Sequence, residues 1–311
     1  MGTGDNPDAA AAHDVAPAGG ASRFQAAGGT LYVVATPLGN LRDVTLRAQD
    51  VLATADVVAA EDTRVTVVLL RHYGIATRPL SLHEHNESRR AAHVEALLRA
   101  GKSVALVSDA GTPAVSDPGA RLVAAIRGAG LPVVPIPGAN AAVAAISVAG
   151  LDAERFAFLG FLPTTPKARD TLLSSVAPLP FALVVYEAPH RVVRTIGALA
   201  EALGGERAVV IAREITKKFE TIVRMPLAEA AAWLDADPNR RRGEFVLVVD
   251  GPPGSAPADD AAAPPIDIDR LLRALAEELP PTRAARVAAE ATGLARDVLY
   301  ARIRAQKPGA G

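Results

Sequence analysis

The residues best suited to chemistry stand together in Val107-Ser-Asp-Ala-Gly-Thr-Pro-Ala-Val-Ser-Asp-Pro-Gly119. Two aspartates, Asp109 and Asp117, and three hydroxyl residues, Ser108, Thr112 and Ser116, are set among Gly111, Pro113, Pro118 and Gly119. Glycine lets a backbone approach a ligand closely, and proline stiffens the loop that does so. The run follows an apolar stretch, Ser103 to Val107, that reads as a buried strand. A strand ending in such a loop is where an open α/β sheet binds its ligand. The pattern is neither G-x-G-x-x-G nor a P-loop, so a dinucleotide or triphosphate site is not expected. Asp109 can accept hydrogen bonds from hydroxyls or an amine, or it can cap the helix that starts near Pro118.

Two further turns fall at strand ends on the same edge, Thr36-Pro-Leu-Gly-Asn40 and Pro137-Gly-Ala-Asn140. Each alone reads as a β-turn or a helix cap. Together with the first loop they describe a crevice for a medium-sized polar ligand. Glu61-Asp-Thr-Arg64 closes another strand, either as a helix N-terminus or with one acid in the crevice. His83-Glu-His-Asn-Glu87 resembles a metal cluster, but it has two imidazoles and not the H-E-x-x-H spacing, so a substrate-contacting loop is the preferred reading. Tyr186-Glu-Ala-Pro-His-Arg191 ends a later strand, either as a helix-capping loop or with His190 as a base, imidazole being the side-chain type suited to proton transfer near neutral pH. Arg213-Glu-Ile-Thr-Lys-Lys-Phe-Glu220 joins two strands, either as an exposed hairpin or as a phosphate-facing loop with Phe219 free to stack on a base.

The elements that must position these residues follow from periodicity. Strands are expected at Leu31–Ala35, Val57–Ala60, Ser103–Val107 and Leu131–Ile136, with helices at 45–55, 65–73, 89–99, 120–127 and after Asn140. Strands alternating with helices make a parallel, doubly wound sheet. Beyond Gly150 the pattern changes. Strands at 156–161, 181–186, 208–212, 220–224 and 245–249, with helices at 167–176, 192–202 and 227–234, imply a second α/β domain with a mixed sheet. The expected organisation is a disordered tail over 1–29, an α/β domain over 30–150 and a second over 151–250. A Pro-rich linker over 251–265 and a helical module over 266–311 complete it, the module holding helices at 268–279, 282–292 and 295–304.

Composition narrows the function. The 311 residues are 50% apolar, enough for two cores. With no cysteine, thiolate metal sites, disulfides and cysteine nucleophiles are excluded. A net charge of −1 confines any nucleic-acid surface to a local patch. No apolar run reaches the ~18 residues of a membrane span, and the Ala/Gly-rich start lacks the form of a signal peptide.

The segments LYVVATPLGNLRDVTLRA, AAEDTR, HEHNE, VSDAGTPAVSDPG, PIPGANA, GFLP, YEAPHR and REITKKFET, in that order over roughly residues 31–250, resemble the tetrapyrrole methylase superfamily, the class III methyltransferases. Within that superfamily they are most similar to the branch that acts on ribosomal RNA. The resemblance implies two α/β domains with S-adenosylmethionine folded between them, a homodimer, a cytoplasmic location and no resident metal. It also implies 2′-O-methylation of a cytidine in the decoding region of 16S ribosomal RNA. By motif position it places Pro37, Asp109, Gly111, Thr112, Pro113, Asn140 and Ala141 around the cofactor, with Glu187, its neighbour Tyr186 and Ala212 contributed by the second domain. A 2′-hydroxyl needs a base within ~3 Å, and the candidates are Glu61, Glu187 and His190. Arg213, Lys217 and Lys218 are the candidate RNA contacts, with a weaker basic patch over residues 283–307. A methylase of a corrin precursor and a non-catalytic binder of the cofactor or of RNA are the competing readings.

Overall fold

A computed structural model of the protein describes residues 23–81, 87–151, 155–252, 268–292 and 294–306. His83 to Asn86, Lys307, most of the expected tail and most of the expected linker lie outside the described residues. The chain divides into two compact units, Met1–Pro253 and Gly254–Gly311.

The first unit contains two sheets. Strands β1 (Leu31–Val34), β2 (Val57–Ala60), β3 (Pro79–Ser81), β4 (Val104–Val107) and β5 (Val133–Ile136) form the first, in the order β3-β2-β4-β1-β5. All its pairings are parallel. The short strand β3 is an addition to the sequence reading. Its Pro79 sits on an edge strand, the position that tolerates a residue with no N–H to donate.

Side chains alternate across this sheet. Tyr32 and Val34 pack with helices α1 (Leu46–Thr54) and α2 (Thr63–His72) on one face. Leu31 and Leu106 pack with α3 (Glu87–Arg99) and α4 (Ala120–Gly128) on the other. The neighbouring strands β1 and β4 therefore send their chains to opposite faces, which leaves a crevice at their C-terminal ends. The caps fix where the helices begin. Thr45 Oγ1 accepts the Ala48 N–H at 3.1 Å, and Asp62 caps α2, which starts it two residues ahead of the periodic apolar pattern. Asp109 does not cap α4; Gly119 takes that position at φ 123°.

The second sheet holds β6 (Phe156–Phe161), β7 (Ala182–Glu187), β8 (Ala208–Arg213), β9 (Thr221–Pro226) and β10 (Phe245–Val249), in the order β6-β7-β10-β8-β9. It is mixed: β6 runs parallel to β7, and the other pairs are antiparallel. The central strand β10 is buried throughout, which explains its unbroken apolar run. Helices α6 (Pro166–Val176), α7 (Val192–Leu203) and α8 (Leu227–Asp235) cover one face. The other face receives α5 (Ala141–Val148), which follows β5 of the first sheet. Its Ala142 and Ala145, with Ala149 just beyond, pack on Val184, Val210, Ala212, Val246 and Val248.

The second unit is a trio of helices, α9 (Ile268–Glu278), α10 (Pro281–Thr292) and α11 (Arg296–Gln306), around Leu272, Ala285, Ala288, Leu299 and Ile303. Among the described residues no helix is long and apolar enough to cross a membrane.

Ala145 is fully buried between α5 and the second sheet. Replacing it with leucine overfills that contact, so Ala145→Leu is expected to destabilise the first unit by about 1–3 kcal/mol in urea unfolding. An unchanged midpoint would mean that the small-residue contact is not what holds α5 on the sheet.

Candidate functional site

The loop between β4 and α4 is tied down at several points. Thr36 and Gly111 exchange backbone hydrogen bonds at 2.8 and 3.0 Å, and the Thr36 hydroxyl donates to the Ser108 carbonyl at 3.1 Å. Gly111 needs its glycine there, because its φ is +78°. The Thr112 hydroxyl donates to the Ala139 carbonyl at 3.1 Å, joining the loop to the turn before α5. Further on, Ala114 and Ser116 also take positive φ, at 68° and 62°. That turn swings Ser116 onto Gly160 at the irregular point of β6, where an added Cβ would stand 2.7 Å from the serine oxygen.

A cavity of ≈ 360 Å³ opens where this loop faces the second sheet. Gly111, Thr112, Val115 and Asp117 form one wall, with Asn140 and Ala141 at the start of α5. Phe161, Tyr186, Ile215, Phe245 and Val246 form the opposite wall. The Tyr186 hydroxyl accepts the Ala142 N–H at 3.0 Å, and Phe158 and Phe161 meet its ring edge-on. Asn140 spends its side-chain oxygen capping α5, on the Val143 N–H at 3.2 Å.

One end of the cavity is acidic. Burial pushes the Asp117 carboxyl up to about 6, and Glu61, Asp109 and Glu244 push in the same direction against the Ser108 hydroxyl. Asp109 accepts the Asp62 N–H at 3.0 Å. Lys217 is held by Glu244 at 2.8 Å and Glu214 at 3.1 Å. Burial opposes the lysine charge, but the two carboxylates outweigh it and raise the Lys217 pKa. The lysine stem lies over Gly39, where an added Cβ would come within 2.3 Å of it, and the Asn40 N–H donates to Thr216 Oγ1 at 3.2 Å. The β8–β9 hairpin is thereby fastened to the turn after β1.

The structure sorts the residues singled out from sequence. Gly111, Thr112, Asn140, Ala141 and Glu187 lie at the cavity. Pro37 and Asp109 instead line a neighbouring cavity of ≈ 300 Å³ beside α2. Pro113 is buried within the loop, and Ala212 is buried beneath α5. Glu187 is buried, and both its oxygens are engaged. Oε1 accepts the Ala188 N–H at 2.8 Å and pairs with Arg191 at 3.2 Å, and Oε2 accepts the Thr195 hydroxyl at 2.6 Å. His190 is exposed on the turn after β7, apart from the cavity lining. Glu61 is half-buried at the end of β2. Arg213 is buried and donates to the Arg242 and Phe219 carbonyls at 2.5 and 3.0 Å, so it braces the hairpin. Lys218 is exposed, its ammonium 5.5 Å from the centre of the exposed Phe219 ring. Nothing in the sequence distinguishes Asp117. It shares its loop and residue type with Asp109, and only the fold turns it toward the cavity.

An apolar slot that ends in carboxylates fits a ligand carrying positive charge and a flat ring. S-adenosylmethionine has that chemistry, with a sulfonium, an ammonium and an adenine.

The chain matches the family of Tetrapyrrole (Corrin/Porphyrin) Methylases over residues 30–231 and the RsmI C-terminal HTH domain over residues 262–307. It is 47% identical over 272 residues to Ribosomal RNA small subunit methyltransferase I of Escherichia coli O157:H7, covering 88% of this chain and 93% of that one. Among solved structures it is similar to the cobalt precorrin-4 methyltransferase CbiF, with a TM-score of 0.55 and 17% identity over 71% of this chain and 94% of that one. It is also similar to the uroporphyrin-III C-methyl transferase of Thermus thermophilus complexed with S-adenyl homocysteine, with a TM-score of 0.51 and 21% identity over 70% of this chain and 96% of that one.

The raised Asp117 pKa sets a pH dependence. Between the ordinary value of 3.8 and about 6, the folded protein holds a proton that the unfolded chain has lost. Raising pH through that window therefore lowers stability, and the cost persists above it. Asp117→Asn is expected to melt higher than wild type at neutral pH and to lose this advantage near pH 4, as read by thermal unfolding at the two pH values. Equal differences at both would place the aspartate in solvent.

Proposed function

The chain belongs to the tetrapyrrole (corrin/porphyrin) methylase family and uses S-adenosylmethionine as methyl donor, and we propose that it methylates the ribose 2′-hydroxyl of a cytidine in 16S ribosomal RNA. One observation supports an RNA acceptor over a corrin: the likeness to the ribosomal RNA enzymes extends through both sheets and into the helical unit, well beyond the cofactor crevice. A homodimer in the cytoplasm belongs to the same reading, on the strength of the sequence resemblance.

The donor supplies an activated methyl group when bound. This chain's residues have to hold, align and exclude water. Gly111 offers backbone close to the ligand, Thr112 and Asn140 keep the loop and the α5 terminus in register, and Tyr186 and Phe161 give flat apolar walls. Holding the donor beside the hydroxyl turns a bimolecular step into an oriented one, worth up to about 7–11 kcal/mol. The carboxylates at the cavity end favour a cationic ligand. That attraction must stay moderate, since the positive charge disappears during transfer and over-stabilising it would raise the barrier.

RNA must be met outside this acidic end. Lys218 and Phe219 at the hairpin tip offer a cation and an exposed ring, the pair used to hold a phosphate and stack an unpaired base. Arg213 and Lys217 support the tip from within.

Incubating the protein with unmodified small ribosomal subunits and methyl-labelled cofactor should place label on one cytidine, in a linkage that resists alkaline cleavage. Label on a base, or none on the particle but transfer to a porphyrinogen, would overturn the acceptor. Phe219→Ala is expected to raise the KM for the particle about 5- to 150-fold, the equivalent of ~1–3 kcal/mol for one stacked base, while leaving cofactor affinity unchanged. An unaltered KM would remove the hairpin tip from the RNA surface.

A further inference from the structure

A methyl acceptor with an un-ionised hydroxyl needs a proton acceptor in the cavity. Glu187 is unsuited, because both its oxygens are already hydrogen-bonded inside the protein. His190 stands apart from the lining. Two other carboxylates line the cavity, those of Asp117 and Glu244, and Glu244 is held by Lys217 at 2.8 Å. Asp117 has no ion pair among the described residues. The groups acting on it are acids and hydroxyls: Glu61 beyond β2, Asp109 in its own loop, Glu244 ahead of β10, the Ser108 hydroxyl and the Tyr186 phenol of β7. The positive φ of Ser116 and its seat on Gly160 fix the backbone immediately before it.

Resting on the methyl-transfer reading above, we propose that Asp117 is the general base that takes the proton from the acceptor hydroxyl. Asp117 receives that proton as the oxygen–methyl bond forms and the sulfur–methyl bond breaks. The sulfur keeps the bonding pair and becomes a neutral thioether, and the carboxylate becomes a neutral acid. One positive and one negative charge therefore vanish together, a change that an apolar cavity favours over water. The acidic surroundings give Asp117 a high proton affinity, and a sulfonium beside it lowers that affinity while the donor is intact. Loss of the sulfonium charge restores the affinity at the moment the proton must be accepted. The neighbouring acids thus have a role in catalysis that needs no contact with the acceptor.

Two readouts test this. The first is the titration of the Asp117 carboxyl, followed by carbon-13 NMR in aspartate-labelled protein, with Asp117→Asn identifying the resonance. Its midpoint should fall when S-adenosylmethionine is added and stay near its free value with S-adenosylhomocysteine, whose sulfur is uncharged. Equal titration with both ligands would overturn the proposal. The second is transfer to the small subunit by Asp117→Asn. At saturating donor the kcat should drop about 10²–10⁴-fold, with calorimetric affinity for the uncharged S-adenosylhomocysteine and particle KM within a few-fold of wild type and an unimpaired thermal melt. A kcat within a few-fold of wild type, or lost affinity for S-adenosylhomocysteine, would overturn the assignment. If wild type itself leaves the particle unmethylated, the acceptor reading fails, and the NMR comparison still decides whether Asp117 faces the sulfur.

Discussion

The site depends on a contact between small residues. Helix α5 leaves the first sheet from Asn140 and lays Ala142, Ala145 and Ala149 on the second sheet, against Val184, Val210 and Val246. Alanines let the helix axis approach the strands closely at no cost in side-chain entropy, and interior packing at that density resists displacement. The Tyr186 hydroxyl adds a directional element by accepting the Ala142 N–H at 3.0 Å. That N–H is one of the donors a helix start leaves without an intrahelical partner. The bond therefore satisfies the helix, orients the tyrosine ring as a cavity wall and fixes the distance between the two sheets.

The loop after β4 reaches this gap because its backbone adopts conformations that most residues avoid. Gly111 takes a positive φ without penalty, whereas Ala114 and Ser116 take theirs as L-residues. Such conformations persist where surrounding contacts over-determine them. Here the Thr36–Gly111 backbone pair, the Thr112–Ala139 bond and the notch left by Gly160 supply those contacts. Glycine at 160 thus serves a neighbour: with no Cβ on β6, Ser116 can sit there and Asp117 is carried to the cavity. The opposite boundary is built in the same way, with Gly39 making room for the Lys217 stem and the Glu214–Lys217–Glu244 cluster closing the hairpin against the turn after β1.

Much of this architecture was legible in the chain. The two sheets, the five helices that flank or follow the parallel one and the convergence of three strand ends all follow from period and punctuation, because burial faces and turn chemistry are local properties. Strand β3 was not legible, since three residues beginning with proline carry no alternation to read. Side-chain roles were harder still. Glu187, His190 and Arg191 form one charged run in the sequence, yet Glu187 is buried at the cavity with both oxygens engaged and His190 faces solvent. Arg213 and Lys217 have the composition of a phosphate site, but the fold engages both internally, Arg213 with the Arg242 and Phe219 carbonyls and Lys217 with two carboxylates. Whether a charge is spent on a neighbour or offered to a ligand depends on tertiary pairing, which residue type does not encode.

Electrostatics then constrains how a polyanion meets this cavity. Glu61, Asp109 and Glu244 all act on Asp117 at the cavity end, and RNA carries a negative charge at each nucleotide. Phosphates brought to that end would be repelled, with little screening inside a half-buried pocket. A ribose hydroxyl can still arrive there if its nucleotide is turned out of the RNA, so that the sugar enters and the flanking phosphates stay at the rim. Basic groups are therefore useful only away from the cavity end. Lys218 at the hairpin tip satisfies this. The same acids that repel the backbone attract a cationic donor. Under the proposed ribose methylation, charge alone would separate the two substrates, the donor drawn into the cavity and the acceptor admitted by its uncharged sugar.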